Sequence, residues 1–247
     1  MKELIKINLY RLFRDKFFIV CTVLAAIITY AYCANGADLG IAHFSYGGLD
    51  AMKMVSIGII GFLGVFSASF INIELSDGVI RNKKIIGHGQ PEIYLSHLVC
   101  QFVAVIVMVI AWAIAGIAAG TPVNGDFARA VVNVTMFSAS TASIVTLIAM
   151  KMRNKLTATA LPIAVIYLLF NFVLFGNFFL MSSIDTPFYP LMQFIYYLSP
   201  VGHWFGESPF GDSECSPALV WLVVIPMVVV VFTTLFGTVT IRKRELD

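Results

Sequence analysis

Long apolar runs alternate with short polar segments along the whole chain. Crossing the hydrocarbon layer of a bilayer takes about 20 apolar residues of α-helix. Six runs are long enough, at about 17–34, 54–73, 93–119, 131–150, 161–181 and 218–241. The pattern therefore predicts an all-α membrane protein in which one transmembrane domain, 1–247, holds six spans.

Composition agrees with this class, because 59% of the residues are hydrophobic and only 12% are charged. With six spans, 14 of the 16 Lys and Arg fall on one side of the membrane, and only Lys53 and Arg129 fall on the other. The positive-inside rule then predicts a multi-pass protein of the cell membrane with both termini in the cytoplasm. The basic clusters flank spans, which favours attraction to anionic lipid over nucleic-acid binding.

The first 16 residues have the pattern of an amphipathic helix. At 100° per residue, one arc of this helix is apolar. The pattern predicts a helix in the cytoplasmic interface, and the alternative is a basic flank that continues the first span. The arc consists of Met1, Leu4, Ile5, Leu9, Leu12 and Phe13.

The longest segment outside the spans, 182–217, is predicted to lie on the outer side. Its apolar and aromatic middle is broken by prolines into pieces too short to cross a bilayer, which favours a re-entrant hairpin that caps the bundle. Cys33 and Cys215 share this side, and whether they form a disulfide stays open. The predicted cap residues are Phe188, Phe194, Tyr196, Tyr197, Pro200 and Trp204.

The spans carry no ionisable residue near their middle, and Glu74 and His97 are placed at cytoplasmic ends, where a polar head reaches water at little cost. Transporters driven by ion gradients usually hold such residues at mid-membrane. The sequence also lacks a GxxxxGK[ST] phosphate loop and GxSxG or HExxH motifs. We therefore expect no catalytic residue, metal site or cofactor in this chain, and any energy for transport must come from a partner.

The segment 75–92 is long and charged for a connection between two spans. Gly78 and Gly87 enclose a short stretch with a helical pattern, in which basic residues lie between two pairs of apolar residues. A simple turn needs only a few polar residues, so this composition indicates a surface that another molecule binds. The alternative is an amphipathic loop that rests on the bilayer.

This region resembles that of the ABC type-2 permeases, the membrane subunits of ATP-driven exporters. The order is a Glu at the end of the second span (Glu74), Gly78, a basic stretch (Arg81–Lys84), Gly87 and a polar entry into the third span (Tyr94–His97). The six spans, the Leu198-Ser199-Pro200 stretch and the basic C-terminal tail extend the resemblance. The chain differs from the family at 89–92, where members often have Arg, and at His97, where they often have Lys.

The resemblance implies that 75–92 is a coupling segment, which fits a groove of a separate cytoplasmic ATPase. Two ATPase copies would hold ATP and Mg, and a second permease subunit, identical or related, would complete the transporter. Lys151–Lys155 would make a second, smaller contact. The implied coupling residues are Glu74, Gly78, Val79, Ile80, Arg81, Lys83, Lys84, Ile85, Ile86 and Gly87.

The apolar and aromatic spans favour an amphipathic substrate, such as an antimicrobial peptide, a hydrophobic antibiotic or a lipid. In its small size the chain looks like the permeases of lantibiotic immunity and antibiotic resistance. Two other classes remain open: the substrate-capturing membrane subunit of a vitamin importer, and a non-transporting membrane sensor or assembly partner.

Overall fold

The computed structural model describes residues 1–35, 48–152, 155–182, 186–197, 200–207 and 218–243. Over these residues the backbone forms ten helices and no strand. They are α1 (Lys2–Arg14), α2 (Lys16–Asn35), α3 (Leu49–Ser76), α4 (Val79–Ile85), α5 (Gln90–Ala118), α6 (Gly125–Lys151), α7 (Lys155–Ser182), α8 (Tyr189–Tyr197), α9 (Pro200–Glu207) and α10 (Leu219–Lys243).

Six of the described helices, α2, α3, α5, α6, α7 and α10, are long and apolar enough to cross a membrane. The predicted all-α class and the six apolar spans are therefore confirmed, and the architecture is that of a multi-pass membrane protein.

The helices α3 and α6 begin five or six residues before the predicted spans, at Leu49 and Gly125. Their first turns contain charged residues, which a hydropathy window excludes although a helix can extend into the polar layer. Asn124 caps α6 because its side-chain oxygen accepts a hydrogen bond from the Phe127 N–H at 2.9 Å.

Side-chain contacts show that α3 runs in the opposite direction to α5 and α7. The start of α3 lies against the end of α5, where the Trp112 indole N–H donates to the Met52 carbonyl at 3.1 Å. The end of α3 lies near the start of α7, where Asn72 donates to the Thr159 hydroxyl at 2.6 Å. We call the end of the bundle that holds α1 and α4 the α1 end, and the opposite end the α9 end.

The core of the bundle lies between α2, α3, α5 and α6, where Met52, Phe66 and Trp112 are completely or almost completely buried. A second cluster packs α9 against α3 and α6 through Ile60, Phe137 and Trp204. By contrast, α2, α7 and α10 expose rows of large apolar side chains. Such faces suit a hydrocarbon surrounding rather than water.

The first residues form the predicted helix, α1, but its buried face differs from the predicted apolar arc. Leu4, Asn8 and Leu12 are buried in the bundle, whereas Met1 and Phe13 of the predicted apolar arc are about half exposed. The stripe of residues 4, 8 and 12 packs against α5 because residues four apart lie on one helix face.

Candidate functional site

The short helix α4 is held between two glycines with left-handed backbone conformations. Gly78 has φ 70° and Gly87 has φ 99°. Side chains with a Cβ disfavour this region, so both turns require glycine. The two glycines that were predicted to enclose a short helical stretch therefore set the direction in which the chain enters and leaves α4.

The tip of α4 presents an apolar pair beside two cations. Ile85 and Ile86 are 72% and 77% exposed, and Arg81 and Lys84 are also exposed. Two adjacent isoleucines exposed to this extent are costly in water, because their apolar surface stays hydrated. Val79 and Ile80, at the start of α4, are only partly exposed. We call Arg81, Lys84, Ile85 and Ile86 the α4 tip.

Beneath the α4 tip, the carboxylate of Glu74 lies at the centre of a buried charge cluster. Its Oε1 accepts a hydrogen bond from Nη1 of Arg11. Its Oε2 accepts from the Nζ of Lys83 at 2.6 Å and from Nε2–H of His97 at 2.8 Å. One side chain of α3 thus connects α1, α4 and α5. We call Arg11, Glu74, Lys83 and His97 the Glu74 cluster.

Asn8 extends this cluster along α1. Its Oδ1 accepts from the Nζ of Lys83 at 3.2 Å, and its Nδ2 donates to the Ser96 hydroxyl of α5 at 3.1 Å. The ring of Phe70 closes the side toward the bilayer middle, with the Arg11 guanidinium carbon 4.7 Å from the ring centroid. The Glu74 carboxylate and the Lys83 ammonium are therefore shielded from water, whereas the Arg11 side chain, which lies over the Phe70 ring, stays 30% exposed.

Burial governs the electrostatics of the cations in this cluster. The Glu74 and His97 side chains are completely buried and that of Lys83 is 8% exposed. Desolvation, followed by repulsion from Arg11, lowers the pKa of Lys83 to about 8. Desolvation also lowers the pKa of Arg11, whose guanidinium nevertheless remains charged. Since the Glu74 carboxylate compensates both Arg11 and Lys83, removing it leaves the buried Lys83 ammonium without its charged partner.

The structure divides the predicted coupling residues into two groups. Arg81, Lys84, Ile85 and Ile86 lie on the surface, whereas Glu74 and Lys83 face inward. The expectation that Lys83 belongs to a surface that a partner binds differs from this arrangement, because the Nζ of Lys83 donates hydrogen bonds to Glu74 and Asn8 of the same chain. Glu74 and His97 also differ from the expectation that they reach water at the span ends, since both are fully buried.

Sequence reasoning missed Arg11 and Asn8 as members of this site. Arg11 lies outside the apolar arc predicted for the first 16 residues, where a solvated charge is the usual interpretation. A signal for Asn8 was present, because it lies between Leu4 and Leu12 on the same stripe. A polar residue in the middle of a buried helical stripe indicates a hydrogen-bond partner elsewhere in the fold.

At the opposite end, the residues predicted to form the cap belong mostly to two helices, α8 and α9, that are too short to span a bilayer. Phe188 precedes α8 and is 65% exposed, Phe194 of α8 is 61% exposed, and Tyr196 is buried. Tyr197 ends α8 and Pro200 begins α9. The described residues do not include Leu198, Ser199 or Cys215. They therefore give no information about a disulfide between Cys33 and Cys215.

The helix α9 lies inside the bundle, and its residues from Val201 to Glu207 are all buried. The Trp204 indole N–H donates to the Ser56 hydroxyl at 2.7 Å. Arg129 donates from Nε and Nη2 to one oxygen of Glu207 at 2.8 and 2.6 Å. These bonds attach α9 to α3 and α6, whereas α8 remains on the outside.

We expect Glu207→Gln to loosen α9 without unfolding the bundle, because the partly buried Arg129 loses its charged partner. A loss of about 1.4 kcal/mol corresponds to about tenfold faster opening. Amide hydrogen exchange over 200–207, measured by mass spectrometry, tests this. Asp126→Asn, which removes an exposed carboxylate from the first turn of α6, is the matched control. Equal exchange over 200–207 in both variants would contradict the anchoring role of the ion pair.

Two cavities between the spans are lined almost entirely by apolar side chains. One, of about 440 Å³, lies between α2 and α3, and the other, of about 330 Å³, lies between α3, α6, α7 and α9. Within the described part of the chain, no three His, Cys, Asp or Glu side chains are grouped as metal ligands. The α4 tip, supported by the Glu74 cluster, is therefore the chemically most distinctive surface.

Comparison with known proteins adds no relative to this picture. No protein-family model matches the chain, and no curated protein matches it significantly. The function of the site must therefore be inferred from its geometry.

Proposed function

We propose that this chain is the permease subunit of an ABC transporter that exports or extracts an amphipathic substrate. The observation that supports this most is the α4 tip, in which two isoleucines more than 70% exposed lie next to two cations. The same helix is attached to the bundle by Lys83, whose side chain is buried and ion-paired with Glu74. An apolar anchor with a basic rim fits an acidic groove on a partner protein. The partner is a separate ATPase, present in two copies, which binds ATP and Mg.

The Glu74 cluster supports a mechanical role for α4. Force applied at the α4 tip passes through Lys83 to Glu74 on α3, and from Glu74 to α5 and α1 by way of His97 and Arg11. A flexible connection would absorb a displacement of α4, whereas the ion pair between Lys83 and Glu74 transmits that displacement to the spans. In this proposal, α1 and both termini lie in the cytoplasm, with α1 at the interface, and a second permease subunit completes the transporter.

The substrate class follows from the apolar cavities between spans. Their linings favour hydrocarbon or aromatic groups, and the polar part of an amphipathic substrate would remain at the membrane surface. Antimicrobial peptides, hydrophobic antibiotics and lipids meet this description. The helix α9, held by Trp204 and Glu207, is a re-entrant helix that closes the substrate path at the α9 end of the bundle.

Affinity purification of the tagged chain from its native membranes in mild detergent tests this function. The expected result is a P-loop ATPase in about equal amount, identified by mass spectrometry. Co-reconstituted in liposomes, the complex is expected to move a fluorescent amphipathic peptide only when ATP and Mg are present on the ATPase side. Peptide movement by the permease alone under an ion gradient, or a permease that purifies repeatedly without an ATPase, would contradict the proposal.

A further inference from the structure

The helix α1 presents a face of basic and aromatic side chains that points away from the bundle. At 100° per residue, this face lies opposite the buried stripe of Leu4, Asn8 and Leu12. All of its side chains are exposed. We call it the outward face of α1, and it consists of Lys2, Lys6, Tyr10, Phe13 and Arg14.

Contacts with α5 place α1 at the edge of the hydrocarbon layer. The 29 residues of α5 extend over about 43 Å, whereas the hydrocarbon layer is about 30 Å thick. Asn8 donates to the Ser96 hydroxyl at 3.1 Å, and its carbonyl accepts from the Cys100 thiol at 3.4 Å. Both contacts are near the start of α5, so α1 crosses α5 close to the level at which the headgroups begin.

The aromatic part of the outward face continues onto the exposed side of α2. Asp15 alone separates the two helices, because its extended backbone ends α1 and its carboxylate accepts from a backbone N–H of α2 at 3.0 Å. Beyond it, Phe17 and Val20 are about half exposed, as Tyr10 and Phe13 are. Since α2 is long and apolar enough to cross a membrane, one lipid-facing surface extends from α2 onto α1.

Within the described part of the chain, the three cations of the outward face have no carboxylate as an ion-pair partner. The Arg14 guanidinium carbon lies 4.2 Å from the centroid of the Tyr10 ring, so this cation is held against the aromatic part of the face. The acidic residue of α1, Glu3, is exposed on the same helix. Three cations beside one carboxylate give this surface a net positive charge, which favours an anionic ligand.

We propose that the outward face of α1 binds anionic phospholipids of the leaflet at the α1 end, with its basic side chains at the phosphates and Phe13 among the upper acyl carbons. The rings assign the face to the bilayer, because aromatic side chains collect at membrane interfaces. Charge selects the lipid, because basic side chains on an interfacial helix attract anionic headgroups. A protein partner from the aqueous phase would not require a face that continues onto a span. The inference does not depend on the proposed transport function.

Native mass spectrometry of the purified protein tests this surface with phosphatidylglycerol and phosphatidylcholine of identical acyl chains. The wild-type protein is expected to retain phosphatidylglycerol in preference to phosphatidylcholine. Lys6→Gln and Arg14→Gln should each lower the ratio of retained phosphatidylglycerol to phosphatidylcholine about fivefold, which is the contribution of one basic residue near an anionic membrane surface. The double variant should lower this ratio further.

The matched control is Glu3→Gln, which removes a charge of the opposite sign from the same helix. This variant should raise the ratio of retained phosphatidylglycerol to phosphatidylcholine. Because Glu3, Lys6 and Arg14 are all exposed, the three single variants should keep the thermal unfolding midpoint of the wild type.

Two results would overturn the proposal. In the first, the double variant Lys6→Gln/Arg14→Gln keeps the lipid ratio of the wild type. In the second, Glu3→Gln lowers the ratio as much as Lys6→Gln does, which would show that charge does not select the lipid. If the double variant keeps its lipid ratio and loses a protein that the wild type retains from native membranes, the outward face of α1 belongs to that partner instead.

Discussion

Replacement of both Ile85 and Ile86 by serine is expected to abolish co-purification of the ATPase and leave the permease folded. The two side chains are 72% and 77% exposed, so their removal costs the isolated chain no core packing. In a complex they would be buried anchors, and an interface anchor is commonly worth about 2 kcal/mol or more. The expected loss of affinity is therefore at least about 30-fold.

The control for this experiment is Val123→Ser. Val123 is 68% exposed and lies between α5 and α6 at the other end of the bundle. It should leave the yield of ATPase unchanged. An undiminished ATPase yield from the Ile85 and Ile86 double variant, together with weaker binding of α4 to lipid vesicles, would show that the α4 tip rests on the bilayer instead.

Glu74→Gln is expected to destabilise the bundle far more than the removal of an exposed carboxylate from the protein surface would. The Glu74 carboxylate compensates Arg11 and Lys83 in a site where Glu74 is completely buried. Leaving such charges unpaired costs about 3–5 kcal/mol. For a chain of this size the midpoint of thermal unfolding in detergent should fall by about 6 °C or more.

Glu92→Gln is the matched control, because it makes the same chemical change at an exposed pair. Glu92 lies 3.3 Å from His88, and its side chain is 47% exposed. Its effect should stay below about 1 kcal/mol. In the Glu74→Gln background, Lys83→Met should be less harmful than in the wild type, because the charge that it removes is already unpaired. Additive effects of the two substitutions would mean that the two side chains do not interact energetically.

The sequence predicted the framework of the fold well because one physical requirement dominates it. An apolar run of about 20 residues can satisfy its backbone polar groups in lipid only as a helix. The positions of Gly78 and Gly87 were equally readable, since a helical pattern between two glycines indicates where a short helix begins and ends. The exact boundaries of the spans could not be read from the sequence. Helices such as α6 extend beyond the apolar run into the polar layer, where a residue such as Asn124 caps the helix.

The sequence could not show which basic residues of α4 are buried and which are exposed. Arg81, Lys83 and Lys84 have the same chemical character along the chain, and only packing shows that Lys83 turns toward Glu74 while its neighbours stay exposed. The same holds for the cap, where the aromatic residues predicted together are separated into a buried Trp204 and an exposed Phe194.

The amino-acid sequence by itself determined that this is a helical protein of six apolar spans with a short helix between the second and third, because hydropathy and glycine positions act locally. Only the tertiary structure decided that Arg11, Glu74, Lys83 and His97 share one buried site. These residues come from four different helices, and a charge that is distant along the chain can be compensated only where folding brings its partner within a few ångströms.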